Sequence, residues 1–152
     1  MQFIPYLNFD GNCAEAMAFY AQLFGGQILH QMRFDEMPPG ENMPPLSDAA
    51  KQRIMHIHLQ VGAQAIMASD AMPADPSQTS DSCGGGYRKP QGLWVSIGVE
   101  TQVEGQRVFD GLAQGGQIAM PYMATFWSPG FGMVTDRFGT PWMVNVQTPQ
   151  PA

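Results

Sequence analysis

His56 and His58 sit two residues apart in Met55-His56-Ile57-His58-Leu59 and carry more potential chemistry than any other pair in the chain. The surrounding residues predict a strand from Ile54 to Val61. Alternate strand residues share a face, so both imidazoles project to one side. Two imidazoles at this spacing can share a metal ion. A third donor is then needed, from Gln60 on the same face or from Asp70 across the next hairpin. The plainer alternative has both rings facing solvent or hydrogen-bonding a neighbouring strand. Asp70 ends the hairpin strand, either as an acceptor at a cavity mouth or as an ordinary turn residue. Asp136 precedes Arg137-Phe138-Gly139, where an Asx-type bond to the turn backbone is reason enough for it. With His30 the chain holds three histidines, too few to place a nucleophilic triad. Cys13 and Cys83 form no CxxC and read as reduced thiols, not as a disulfide or a zinc site.

The elements that position these residues follow from periodicity and punctuation. Residues 2–9 read as a strand with Pro5 at an edge or irregular start, and Asn12 as a helix cap. Apolar residues at helical spacing run from Cys13 to Phe24, and Gly25-Gly26 stops that helix. Strands follow at 27–34, 54–61 and 64–69, with a short capped helical turn at 47–52. Residues 70–92 hold Pro73, Pro76, Gly84-Gly85-Gly86 and Pro90 and read as a linker. Gly84-Gly85-Gly86-Tyr87-Arg88-Lys89 lacks the spacing of a phosphate loop. The order then repeats: strand 93–99, helix 103–113, Gly115-Gly116, an extended run 117–127, and a hairpin of 131–136 with 142–146. Gly25-Gly26-Gln27-Ile28 recurs as Gly115-Gly116-Gln117-Ile118. At this offset of ninety Phe19 falls on Phe109, while Leu7 and Phe9 fall on Ile97 and Val99. Letters and element order together indicate duplication. The expected fold is α+β: two tandem βαβββ modules making an eight-stranded curved mixed sheet, helices on the outer face and a concave cavity within. Residues 1–152 form one such domain, with module 1 at 1–70, a linker at 70–92 and module 2 at 93–148.

Composition bounds the partners. The chain has 152 residues, seven Lys and Arg against thirteen Asp and Glu, and a net charge of −6. Nucleic acid and anionic membrane are disfavoured, because phosphate binding requires clustered cations. No run approaches the roughly 20 apolar residues of a membrane span, and the first residues lack a basic leader, so a cytoplasmic protein is expected. Charged residues are 13% of the chain, about half the usual ~25%. That shortage hints at surface covered by a partner subunit.

Three runs resemble PhnB-like proteins of the glyoxalase/bleomycin-resistance/dioxygenase (vicinal oxygen chelate) superfamily. The first is Pro5-Tyr6-Leu7-Asn8-Phe9 with Glu15-Ala16-Met17-Ala18-Phe19-Tyr20 and Phe24-Gly25-Gly26. The second is Met55 to Leu59 with Gly62 and Met67-Ala68-Ser69-Asp70. The third, the most specific, is Phe126-Trp127, Gly130-Phe131-Gly132 and Asp136 to Trp142. The resemblance implies paired βαβββ modules, a homodimer and, in the superfamily's enzymes, one divalent metal in the cavity. The ligand positions it implies fall here on Ile4 or Pro5, about Ile66, Trp94 and about Met143. None of these side chains suits a hard or borderline divalent ion.

No cofactor is therefore expected, although a divalent metal displaced to His56 and His58 stays open. His56 fits the family pattern better than His58. Trp94, Met143, Ile66, Phe126 and Trp127 are candidate lining for a pocket that takes a small apolar or aromatic ligand. The competing reading is that they fill the cavity themselves. Two functions stand side by side. One is a metal-free binding homodimer, like the drug-sequestering resistance proteins; the other is a metal-dependent enzyme centred on His56, His58 and Asp70. PhnB-like proteins often carry a demethylubiquinone methyltransferase name, but no glycine fingerprint for S-adenosylmethionine follows a strand here. Methyl transfer has no support in the residues.

Overall fold

The computed structural model of the protein describes residues 1–38, 46–74 and 86–147. The chain divides into two compact units, Met1–Arg88 and Lys89–Ala152. Unit 1 runs β1 (Tyr6–Phe9), α1 (Cys13–Phe24), β2 (Gln27–Arg33), a 3-10 turn at Phe34–Glu36, α2 (Asp48–Lys51), β3 (Ile54–Val61) and β4 (Gln64–Asp70). Unit 2 runs β5 (Val95–Val99), α3 (Gln102–Ala113), β6 (Gln117–Met123), β7 (Phe131–Thr135) and β8 (Pro141–Val146). Each builds a four-stranded mixed sheet of the same topology, β1-β4-β3-β2 and β5-β8-β7-β6. In both, the first strand pairs parallel to the last and the other pairs are antiparallel. The architecture is α+β, with a repeated βαβββ order.

Each core lies between one helix and one sheet face. Cys13, Ala16, Met17 and Tyr20 are buried on α1; Gly105, Val108, Phe109 and Leu112 are buried on α3. Both sets follow i, i+3, i+4, i+7, a single stripe of a helix. Leu7, Phe9, Ile57, Leu59 and Ala68 complete the first core, and Val99, Val134, Trp142, Val144 and Val146 the second. Strand alternation leaves the other residues of each strand on the face opposite the helix.

The repeated Gly-Gly has one explanation in both units. Gly25 and Gly115 take positive φ, 68° and 71°, where a side chain is disfavoured. A Cβ on Gly26 would stand 2.6 Å from the Gln60 carbonyl oxygen, and one on Gly116 2.5 Å from that of Thr135. Gln60 and Thr135 hold matching places, each paired with the residue that follows its Gly-Gly, Gln27 and Gln117. The first glycine turns the chain, and the second lets it pass close to the neighbouring strand.

Two expectations change. The helices slip by one residue against the offset of ninety, because Gln114 stands between α3 and Gly115 while Gly25 caps α1 directly. Tyr20, not Phe19, therefore takes the buried place of Phe109. Asn12 occupies the N-cap position but makes no side-chain cap bond. Asp70 does that work from a distance, its Oδ1 accepting from the Gly11 and Cys13 N–H groups at 2.8 and 3.0 Å. In α3, the Thr101 hydroxyl caps in the ordinary way, accepting from Glu104 N–H.

Candidate functional site

Register converts the candidate residues into rows across each sheet, since directly paired residues share a face. In unit 1 one row reads Tyr6, Met67, His58, His30 across β1, β4, β3 and β2. The corresponding row of unit 2 reads Ser96, Met143, Met133, Met120 across β5, β8, β7 and β6. A second row of unit 2 reads Gly98, Asn145, Phe131, Met123. These rows lie on the faces turned away from α1 and α3. The two modules share a scaffold and differ in chemistry. One face gathers imidazoles and a phenol, the other thioethers and an aromatic ring.

On the unit 1 face the Tyr6 hydroxyl and His56 Nδ1 share a hydrogen bond at 3.3 Å. The His30 and His56 ring centroids are 6.1 Å apart. Burial and then the neighbouring His30 and His58 hold the His56 imidazole below its ordinary range, so its neutral form prevails at pH 7. His58 Nε2 is buried with no hydrogen-bond partner. His30 was not among the expected site residues. Simple alternation would give it the face of Ile28, which pairs with the core residue Leu59. A register shift between Ile28 and His30 turns it to His58 instead, and bulges of this kind leave no reliable mark in sequence.

Asp70 does not join the histidines. It is buried, and its carboxylate accepts from the backbone N–H groups of Gly11, Cys13 and Ile54. It lies in phase with Ala68 on the helix-covered side of β4, so it serves neither as a third ligand nor as an acid at a cavity mouth. Gln60 shares the histidines' face, but its Nε2 donates to Gly62 O. Among the described residues no three His, Cys, Asp or Glu side chains are grouped to hold a metal ion. Asp136 is the turn residue expected: it accepts from Phe138 and Thr140 N–H, and additionally from Trp142 Nε1 at 2.8 Å.

The pocket candidates separate in the same way. Met143 lies in the methionine row. Ile66 pairs with Leu59 on the helix-covered side, and Met67 is the residue of β4 that corresponds to Met143. Trp94 immediately precedes β5, half-buried, in phase with Ser96. Phe126 is 98% and Trp127 48% exposed. Neither lies in a strand as expected; both belong to the turn between β6 and β7. Their rings meet edge to face at 4.6 Å, and Trp127 meets Phe131 at 5.5 Å, which links the turn to the second row. The methionines of β6 and β7 were not foreseen as a site. Their abundance, twelve in the chain, was the available signal. An open groove of about 550 Å³ runs between α3 and β6, lined by Gln102, Gln106, Asp110, Tyr122 and Met123 among others. Cys83 lies outside the described residues, as do Gly84 and Gly85 of the tri-glycine.

The profile of the Glyoxalase/Bleomycin resistance protein/Dioxygenase superfamily matches residues 4–144. The chain belongs to this superfamily. It is 38% identical over 156 residues to the protein YjdN of Escherichia coli, covering 99% of each. Among solved structures it resembles protein PA1353 from Pseudomonas aeruginosa, at 40% identity and a TM-score of 0.80, covering 97% of this chain and 98% of that one. It also resembles the PhnB protein from Bacillus cereus, at 26% identity and a TM-score of 0.71, covering 97% and 100%. The chain is thus a PhnB-like member of the superfamily. The metal implied for superfamily enzymes does not fit the corresponding positions. Ile4 and Trp94 share the phase of Tyr6 and Ser96, and Met67 and Met143 occupy β4 and β8. Alkyl, indole and thioether groups offer no donor for a hard or borderline divalent ion.

Proposed function

We propose that this protein binds a small apolar or aromatic molecule on the helix-free face of its second module, and that it works as a homodimer. The row Met143, Met133, Met120 carries the reading. It places a soft, polarisable Met143 where the superfamily's enzymes need an oxygen or nitrogen donor, with Met133 and Met120 beside it, and thioethers adapt to flat apolar ligands. Phe131 and Trp127 extend the surface with ring faces and edges, as favourable stacking requires. Asn145 adds a polar anchor. Its Oδ1 is buried without a hydrogen-bond partner, so a ligand bearing one N–H or O–H beside its apolar body is favoured over a pure hydrocarbon. Methyl transfer is not part of this reading.

Tryptophan fluorescence tests it. Titration with a panel of flat heteroaromatics that carry a single donor is expected to quench Trp127 saturably. Met143→Glu, which puts a charge in the row, should abolish the effect while the far-ultraviolet circular dichroism stays unchanged. A panel that leaves the wild-type emission unmoved at millimolar ligand counts against the proposal.

A further inference from the structure

We propose that His30 and His58 form a two-imidazole clamp for a borderline divalent transition ion, Cu²⁺ in preference to Ni²⁺ or Zn²⁺, on the helix-free face of the first module. The site uses neither of the superfamily's positions on β1 and β4, although His58 is paired directly with Met67, and it does not depend on the ligand reading above. The two residues are directly paired on β2 and β3, so their Cβ atoms stand about 4.5–5.5 Å apart. Two imidazoles rooted that close on one sheet face can direct one nitrogen each at a common ion. Neutral imidazole is the donor that Cu²⁺, Ni²⁺ and Zn²⁺ favour, and Cu²⁺ leads the affinity series.

A second observation points to an occupant. His58 Nε2 is buried without a hydrogen-bond partner. A buried nitrogen left unpaired carries a desolvation penalty, and such an atom in a native fold calls for a water, an ion or a function. His30 is exposed, which gives an ion a route in from solvent. Its neighbour His56 shares its Nδ1 with the Tyr6 hydroxyl, which leaves only its Nε2 as a donor, and its ring lies 6.1 Å from that of His30. The clamp proper is the His30 and His58 pair, and water completes the coordination. No third carboxylate or thiolate is grouped with them among the described residues, so Mg²⁺ and Ca²⁺, which require oxygen donors, are excluded as occupants.

The test is calorimetric titration of the chelator-treated full chain with CuCl₂, paired with electron paramagnetic resonance of the loaded protein. Binding at one ion per chain is expected, with nitrogen hyperfine structure from two imidazoles. His30→Gln changes an exposed residue and should weaken binding at least about tenfold. His58→Gln should do the same, whereas His56→Gln should weaken binding less than either. Circular dichroism of each variant separates lost binding from lost folding, and His30→Gln decides the matter alone if His58→Gln does not fold. The proposal is overturned if wild type takes up no Cu²⁺, if His30→Gln binds like wild type, or if His56→Gln alone removes the site.

Discussion

Asp70 and Asp136 each gather three N–H donors onto one buried carboxylate, yet they stand at different places in their modules. Asp70 ties the β1–α1 turn to the start of β3 through Gly11, Cys13 and Ile54. Removing it orphans three backbone donors, of which Cys13 and Ile54 N–H are bonded in the interior. Asp70→Ala is expected to cost about 3 kcal/mol, read as a lower urea midpoint with an unchanged slope. Asp136→Asn is a milder and more specific change. One oxygen can still accept from Phe138 and Thr140 N–H, but the new amide NH₂ meets the Trp142 indole N–H, donor against donor. A loss of about 1–2 kcal/mol is expected, with altered Trp142 emission as the marker of the broken bond. Cys13 follows from the same neighbourhood. Burial, reinforced by the Asp70 charge, pushes its thiol well above the ordinary range, and only the thiolate is nucleophilic. Iodoacetamide at pH 8 should spare Cys13 in the folded protein and modify it in urea, with peptide mass spectrometry as the readout. The turn role of Asp136 was legible because its partners lie within six residues. The role of Asp70 was not, because its donors arrive from residues 16 to 59 positions away.

At the scale of elements, the Gly-Gly pairs divide turning and close approach between their two residues, and substitution can separate the tasks. Nothing lies within 4 Å of a Cβ placed on Gly25. Gly25→Ala thus carries only the backbone penalty of positive φ, about 1 kcal/mol. Gly26→Ala presses a methyl onto the Gln60 carbonyl oxygen and the Val61 and Leu59 side chains, with an expected cost of about 2–3 kcal/mol. Gly116→Ala should match Gly26→Ala, since it meets Thr135 O in the same way. Differential scanning calorimetry of the three variants checks the order, and equal losses at Gly25 and Gly26 would contradict the division. The sequence revealed the elements themselves well: α1 spans the expected residues, and β3 and β8 end within one residue of expectation. Faces were harder to read. Periodicity settles which side a residue takes within an unbroken strand. It fails across the irregularity between Ile28 and His30 and in an assignment displaced by one residue, as at Ile66. A single-residue error transfers a side chain to the opposite face, which is why the histidine row and the methionine row became visible only with the register known.

For the whole molecule, the repeated topology explains why so short a chain supports two cores. Each unit buries a single helix stripe on one sheet face, and neither helix adds more than four fully covered residues to its core. Cores of that size supply little stability alone. The chain also spends few residues on charge, 13%, and among its described residues Phe3, Leu93, Val103, Ile118 and Phe126 are large apolar side chains left at least half exposed. Both facts motivate the proposed homodimer, and both would follow if a second copy covers part of this surface. A dimer that contributes to folding makes stability depend on protomer concentration by mass action. The melting temperature is then expected to rise as the protein is concentrated from about 1 to 100 μM, a hundredfold range worth about 2.8 kcal/mol at tenfold per 1.4 kcal/mol. Light scattering over the same range should give twice the chain mass of 16.6 kDa. A melting temperature indifferent to concentration, together with a steady 16.6 kDa particle, would remove the dimer and leave the low charge to be explained within a single chain.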